Sequence, residues 1–255
     1  MKIKLLGTGT SQGVPIIGCH CPVCISSDSK NQRLRSSAYI IVENKHFIID
    51  AGPDFRQQML RENITQIDAI LLTHSHKDHI GGLDDIRAYN YLQGKPMDIY
   101  GSQETIDAVK KDFHYAFCEK KYPGVPQMNL HIIDNTPFFV ENIKITPIEV
   151  SHFKMKVFGF RIKNFAYITD ASFISEPEKE KIKNLNTLIL NALRINKHRS
   201  HFNLSEALQI AQESKAKHAF FTHISHFMGK HEETNAQLPN HIQLGFDGQE
   251  IWIND

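Results

Sequence analysis

The segment Thr73-His74-Ser75-His76-Lys77-Asp78-His79 decides the fold. It follows the apolar run Ala69-Ile-Leu-Leu, which reads as a buried strand, and precedes Gly82-Leu-Asp-Asp-Ile-Arg-Ala-Tyr89, whose apolar spacing is helical. Three imidazoles and a carboxylate crowded at the end of a buried strand are more than folding requires. Neutral imidazole is the commonest metal ligand, and a solvated turn would not need three of them. His74 and His76, two apart in extended chain, point to the same side and can grip one ion. Asp78 and His79, where the chain turns into a helix, are displaced enough to grip a second.

Around this cluster the composition is that of a globular protein. The chain has 255 residues, 41% hydrophobic and 22% charged, which supplies a sizeable core and excludes intrinsic disorder. Lys and Arg number 29 against 28 Asp and Glu, a net charge of +1. No overall basic field draws the chain to nucleic acid or anionic lipid, so nucleic acid is not the expected partner. No run approaches the roughly 18 apolar residues that span a bilayer. The start, Met1-Lys-Ile-Lys-Leu-Leu-Gly-Thr-Gly, breaks before a signal-peptide core could form, so a cytoplasmic location without membrane attachment is expected. Cys19, Cys21 and Cys24 stand close together while Cys118 is alone, a spacing suited to a metal and not to a disulfide framework. Cys118 reads as an inert buried thiol.

Short apolar runs bounded by turn residues predict strands at 3–6, 38–42, 47–49, 69–73, 98–100, 130–133, 143–149, 158–162, 166–169, 187–191, 219–222 and 251–253. Helical periods fall at 54–61, 82–92, 103–117, 178–183 and 204–213, with a weaker one after Met228. Hairpin-like pairs early and βα units later predict an α/β sandwich: two mixed sheets face to face with helices outside. No linker or repeat interrupts the chain, and a single domain over 1–255 is expected.

The H-x-H-x-D-H pattern of residues 74–79 resembles the signature of the metallo-β-lactamase superfamily, whose αββα sandwich matches this expectation. The resemblance extends to the Gly-rich opening Leu5-Leu-Gly-Thr-Gly-Thr10 and to Phe47-Ile-Ile-Asp50-Ala-Gly52, where the superfamily has a strand ending in Asp-x-Gly. Three later strand ends carry His152, Asp170 and His223, the order in which the superfamily supplies a His, a bridging Asp and a final His. Any one of them alone could be incidental. Together the resemblance implies His74, His76 and His152 on one ion, and Asp78, His79 and His223 on the other. Asp170 and a hydroxide would lie between them, and Asp50 would orient the ligand loop.

Within the superfamily, Asp170 stands where the antibiotic-hydrolysing branch has a thiol. Glyoxalase II-type thioesterases need a helical extension, and only 32 residues follow His223. His201-Phe-Asn-Leu-Ser-Glu-Ala207 resembles the catalytic-His segment of tRNase Z, but that branch carries a tRNA-gripping arm between its equivalents of His152 and Asp170. Eighteen positions separate those residues here, room for a hairpin and no arm. Gly18-Cys-His-Cys-Pro-Val-Cys24 together with Thr222-His-Ile-Ser-His226 resembles the PhnP-type branch, phosphoribosyl 1,2-cyclic phosphate phosphodiesterase. That resemblance implies a structural zinc on Cys19, Cys21, Cys24 and His226, in a loop at about 18–30, and also a homodimer.

The implied activity is that of a dinuclear, metal-dependent phosphodiesterase acting on small cyclic phosphodiesters. The two active-site divalent ions could be Zn, Mn or Fe, since His and Asp ligands accept all three. The resemblance casts His201 as general acid or phosphate contact, and Asp78 shares the catalytic centre. Arg87, Asn90 and Arg199 are candidate substrate contacts, although Lys197-His-Arg199 also reads as a solvated turn and Ile86, Tyr89 and Leu92 as a packing stripe. Two other readings stay open: a tRNase Z-like nuclease lacking its arm, and a non-catalytic binding module organised by zinc on the cysteines. The latter lacks the basic flanks of a phosphate-reading finger.

Overall fold

The computed structural model describes residues 1–120 and 122–254. The chain divides into two compact units, the first built from Met1–Leu6, Ser37–Asp134 and the segment from Glu250 onward, the second from Gly7–Ser36 and Asn135–Gln249. Each unit holds one mixed sheet with its own helices, an architecture of the α/β class.

In the first unit, β1 (Lys2–Gly7), β2 (Ser37–Val42), β3 (Lys45–Ile49), β4 (Ala69–Leu71), β5 (Met97–Gly101) and β6 (Met128–Ile132) lie side by side in chain order. The antiparallel pair β2 and β3 gives way to parallel pairing from β3 through β6. Strand β4 is buried on both faces, which is why it reads as a continuous apolar run. Helices α1 (Phe55–Arg61), α2 (Lys77–Ile80), α3 (Arg87–Gln93) and α4 (Gln103–Asp112) follow successive strands. Phe55, Met59, Ile80, Ile86 and Tyr89 pack with Ile48, Ile70 and Ile99 of the sheet.

In the second unit, β7 (Phe138–Val140) pairs with β8 (Ile143–His152), which forms a long hairpin with β9 (Met155–Ile162). Strand β10 (Phe165–Ile168) continues antiparallel, and β11 (Phe173–Ile174) pairs with the outer side of β8. Helix α5 (Glu176–Glu180) leads to β12 (Thr187–Asn191), α6 (Leu204–Ser214) to β13 (His218–Thr222), and α7 (His231–Asn235) to β14 (Ile242–Leu244). Strands β10, β12, β13 and β14 are parallel. Finally β15 (Glu250–Trp252) pairs antiparallel with β1 in the first unit's sheet.

All twelve expected strands are present, the β8–β9 hairpin longer than expected and reaching His152 itself. The three strands not foreseen, β7, β11 and β14, have two or three residues each, too few for a period to show. The expected helix at 82–92 is a 3₁₀ turn, Leu83–Ile86, followed by α3, which Gly94 ends with a left-handed φ of 65°. Ile86 and Tyr89 are core residues, while Leu92 is exposed. Cys118 is exposed as well, correcting its reading as a buried thiol. It follows the short 3₁₀ turn His114–Ala116, where the predicted helix over 103–117 has already ended.

Candidate active site

In the first unit the histidine-rich segment leaves β4 and is fixed at both ends by one carboxylate. Asp50, fully buried, accepts from Thr73 N and Thr73 Oγ1 at 2.8 Å each and from His79 Nδ1 at 2.6 Å. Burial raises its pKa against the opposing pull of His79 and Thr73. With Nδ1 so engaged, His79 presents Nε2, which lies 3.1 Å from Asp78 Oδ2. His74 Nδ1 meets Thr73 Oγ1 at 2.9 Å, and His74 Nε2 lies 3.0 Å from His76 Nδ1. Two nitrogens on one tetrahedral ion stand about 3.3 Å apart, so this pair suits a shared cation.

Gly52 shows why the Asp-x-Gly turn is needed. A Cβ there would lie 2.0 Å from the Asp78 carbonyl oxygen, and one on Gly82 would lie 2.0 Å from the Gly52 carbonyl oxygen. The backbone around the ligands is packed too closely for any side chain at either position.

In the second unit, His152 ends β8, and its Nδ1 donates to the Ser200 carbonyl at 2.8 Å, leaving Nε2 for a metal. Asp170 and His223 follow β10 and β13 with left-handed φ values of 58° and 56°, and Asp50 of the first unit shares this conformation at 62°. Such strain at non-glycine residues persists only where the surroundings enforce it. Asp170 Oδ2 accepts from Thr169 Oγ1 at 2.7 Å and lies 3.1 Å from His223 Nδ1. Asn191 supports this turn from the end of β12, its amide accepting from Ala171 N at 2.8 Å and donating to Ala171 O at 2.9 Å. Sequence reading missed Asn191; a lone polar residue closing the apolar run Thr187-Leu-Ile-Leu was the available signal.

His201 joins this group. Its ring centroid is 4.6 Å from that of His152 and 4.8 Å from that of His223, and His152, Asp170 and His201 can bring ligand atoms within 4.8 Å of one another. Asn203 sets its position by capping α6 through a capping box with Glu206. His201 is buried, and its Nδ1 has no hydrogen-bond partner among the described residues. Burial, then the neighbouring His223, lower its pKa to about 3, so the ring is neutral at pH 7. Such a ring offers an N–H donor.

The cysteine loop brings its three thiols beside His226. Cys19, Cys21 and Cys24 place Sγ at 3.4, 3.4 and 3.5 Å from His226 Nδ1. Sulfur and nitrogen on a tetrahedral zinc stand about 3.6 Å apart, and the four donors fit that ion. The Cys24 N–H first, with the neighbouring cluster groups, lowers the Cys21 thiol to about 6, while burial raises Cys24 to about 11. A dication bound here would favour the thiolate forms.

The candidate substrate contacts fare unevenly. The Asn90 amide donates to the Lys95 and Gln127 carbonyls at 3.0 Å each and accepts from Gln127 N at 2.8 Å, so it holds a loop. Arg87 pairs with Asp84 on the surface. Arg199 lies exposed against Phe153.

Each unit gathers His and Asp side chains at the ends of its strands, and these donor types fit divalent ions. The Beta-lactamase superfamily domain matches residues 45–224, and the chain belongs to that family. A solved structure described as a new diphosphatase from the PhnP family is 40% identical, with a TM-score of 0.93 over 99% of this chain and 98% of that one. The short form of human tRNase Z covers both chains fully with a TM-score of 0.74, but at 20% identity this is a likeness of fold alone. An octanoyltransferase of Porphyromonas gingivalis is 38% identical across all of this chain and 52% of its own length. The chain spans about half the length of the curated relatives it matches. Among the described residues no helix is long and apolar enough to cross a membrane.

Proposed function

We propose that the chain is a dinuclear hydrolase of small phosphodiesters and related phosphoric esters. His74, His76 and His152 would hold one divalent ion, and Asp78, His79 and His223 the other, with Asp170 shared. Such a pair supplies hydroxide at neutral pH and disperses charge on the attacked phosphoryl group. The observation that carries the reading is His201, a buried neutral imidazole with an unspent ring nitrogen beside His152 and Asp170. It can donate a hydrogen bond to an oxygen that gains charge as the ester bond breaks, which stabilises the transition state more than the ground state. Asp50 and the Ser200 carbonyl orient the ligand rings of His79 and His152.

The resemblance to a PhnP-family diphosphatase supports a phosphoric-ester substrate and adds P–O–P bonds to the candidates. A tRNase Z-like activity draws less support. The interval after His152 is filled by β9 and β10, so no arm is present there to grip a folded RNA. The near-zero net charge offers little compensation for the missing phosphate contacts. Nor does a binding-module reading explain why buried carboxylates orient histidines at strand ends.

Steady-state kinetics of the metal-replete protein on a five-membered cyclic phosphodiester, a dinucleoside diphosphate, a thioester and a short RNA test the proposal. The expected result is a kcat/KM for one of the first two at least tenfold above the others. A larger value for the RNA or the thioester overturns it.

A further inference from the structure

The cysteine loop contains a Cys-x-x-Cys step, Cys21-Pro22-Val23-Cys24, wound into a single turn. Ile25 N donates to the Cys21 carbonyl at 3.1 Å and Ser26 N to the Val23 carbonyl at 3.2 Å. The turn also brings Cys24 N to 3.5 Å from Cys21 Sγ. Val23 anchors it in the interior, while Pro22 and Ile25 are exposed and the three cysteines are half-buried free thiols. Their sulfurs lie within 4.8 Å of one another and of a His226 ring nitrogen. The fourth thiol, Cys118, belongs to the first unit, where it donates to the Tyr115 carbonyl at 3.2 Å.

Residues three apart in such a turn face each other, so Cys21 and Cys24 can close to the roughly 2.05 Å of an S–S bond with side-chain rotation and little backbone movement. Cys19, separated from Cys21 by His20 alone, would close a smaller ring and stands outside the turn. A four-donor cluster depends on every donor. Joining two of its sulfurs leaves Cys19 and His226, half of what a tetrahedral zinc requires. The loss bears on His223, because the cluster fastens a segment whose Thr10 Oγ1 stands 3.2 Å from His223 Nε2, and His226 is three residues along the same chain.

We propose that Cys21 and Cys24 are a site of reversible oxidation, at which a peroxide converts the pair to a disulfide, dismantles the cysteine cluster and thereby loosens His223. One thiolate of the pair attacks a peroxide oxygen and breaks the O–O bond, giving a sulfenic acid and a hydroxide that takes up a proton to become water. The second thiolate attacks the oxidised sulfur, the S–S bond forms, and the departing hydroxide takes up a second proton. Two thiolates, one hydrogen peroxide and two protons become one disulfide and two waters, the sulfurs losing the two electrons that the peroxide gains. A dithiol reductant returns both thiols by exchange. The oxidation itself is independent of the substrate reading above; only its effect on His223 rests on that residue being a metal ligand.

The test treats the metal-replete protein with hydrogen peroxide and follows zinc release with a chromophoric chelator, the loop peptide by mass spectrometry, and the melting temperature. One zinc per chain should be released, the peptide holding Cys21 and Cys24 should lose two hydrogens, and the melting temperature should fall. Dithiothreitol followed by zinc should restore all three. Cys118→Ser should respond as wild type does. Calorimetric titration of the oxidised protein should show affinity for the active-site ions lowered about tenfold, the low end for a metal-ligating histidine that loses an outer partner. No substrate is needed, so the result is separable from the phosphoric-ester reading. Zinc and free thiols retained under peroxide, a disulfide that joins other cysteines, or damage that dithiothreitol does not reverse overturns the oxidation site. A disulfide between Cys21 and Cys24 with unchanged affinity for the active-site ions overturns the coupling to His223.

Discussion

Thr10 Oγ1 lies 3.2 Å from His223 Nε2, on the same N-terminal segment that carries Cys19, Cys21 and Cys24. Thr10 N donates to the Ile224 carbonyl at 3.1 Å, and Ile224 N to the Thr8 carbonyl at 2.8 Å. Ser36, at the far end of the segment, places Oγ 3.4 Å from His223 Nδ1. His226, three residues further on, meets the cysteines. The segment is therefore laced to both sides of a candidate metal ligand, and the cysteine cluster fastens the lacing.

Replacing Cys19 by Ser should remove one zinc per chain and lower the melting temperature. Structural zinc binding is folding free energy, and a loss of a few kcal/mol corresponds to roughly 5–10 °C in a chain of this size. With metal in excess, the folded variant should keep a kcat near that of wild type, while the metal concentration for half-activation rises because His223 is held less firmly. Unchanged zinc content and melting temperature would remove the cysteine site from this account.

Asp170→Ala addresses the proposed bridge. Asp170 is buried and ties Thr169 to His223, so its loss would remove one proposed ligand and free another. Metal analysis should show less than two active-site ions per chain, and activity should fall by at least about 10³-fold. Full retention of both metal and rate would refute a shared carboxylate.

His201→Ala should keep its metal and lose about 10²- to 10³-fold in kcat, the usual worth of one positioned donor to developing negative charge. Because burial, then the neighbouring His223, lower the His201 pKa to about 3, its protonation contributes no limb to the rate profile between pH 5 and 8. The ratio of wild-type to variant rates should be flat across that range. A ratio that falls as pH rises would show that His201 acts as an imidazolium acid.

The parts legible in sequence are those where one residue type does one job. His74, His76, Asp78 and His79 stand out because four metal-binding side chains in one turn have no cheaper explanation, and β4 because burial on both faces leaves an unbroken apolar run. Arg33 illustrates what is not legible. It is 4% exposed, donates to Thr8 Oγ1 and to the Gly245 carbonyl, and meets His231 Nδ1 at 3.1 Å, partners 25 to 212 residues away. Nothing in its local sequence distinguishes it from a surface arginine. Asn90 shows the converse: its place after the metal motif suggests substrate, yet its amide is spent on the backbone of Lys95 and Gln127.

Gly52→Ala should be among the most damaging single-atom-scale changes in the first unit. The added Cβ would meet the Asp78 carbonyl oxygen at 2.0 Å, and that neighbour is backbone, which cannot swing aside as a side chain can. Relief requires moving α2 and with it Asp78 and His79. Overpacking of this kind costs about 1–3 kcal/mol or more, so the variant should melt several degrees lower. A matched Gly94→Ala change, where nothing lies within 4 Å but φ is 65°, should cost only the left-handed strain and leave metal content intact. If Gly52→Ala binds metal and melts as wild type does, the close approach does not govern the ligand loop.

His231 sets a pH dependence of stability. It is 5% exposed, and burial first, then the Arg33 guanidinium, push its pKa down to about 4 from the ordinary 6.5. The unfolded chain takes up a proton as pH falls through 6.5, whereas the folded chain does so only near 4, so protons favour unfolding across that window. Stability from this group is therefore complete above pH 6.5 and declines between 6.5 and 4, by on the order of 1 kcal/mol after allowance for solvent screening. Asp28 pulls the other way but more weakly than Arg33 and Lys30. His231→Gln keeps an acceptor for Arg33 and removes the titration. Denaturant midpoints measured at pH 4.5 and 7.5 should converge for the variant relative to wild type, and an identical pH dependence in both proteins would show that His231 does not titrate in this way.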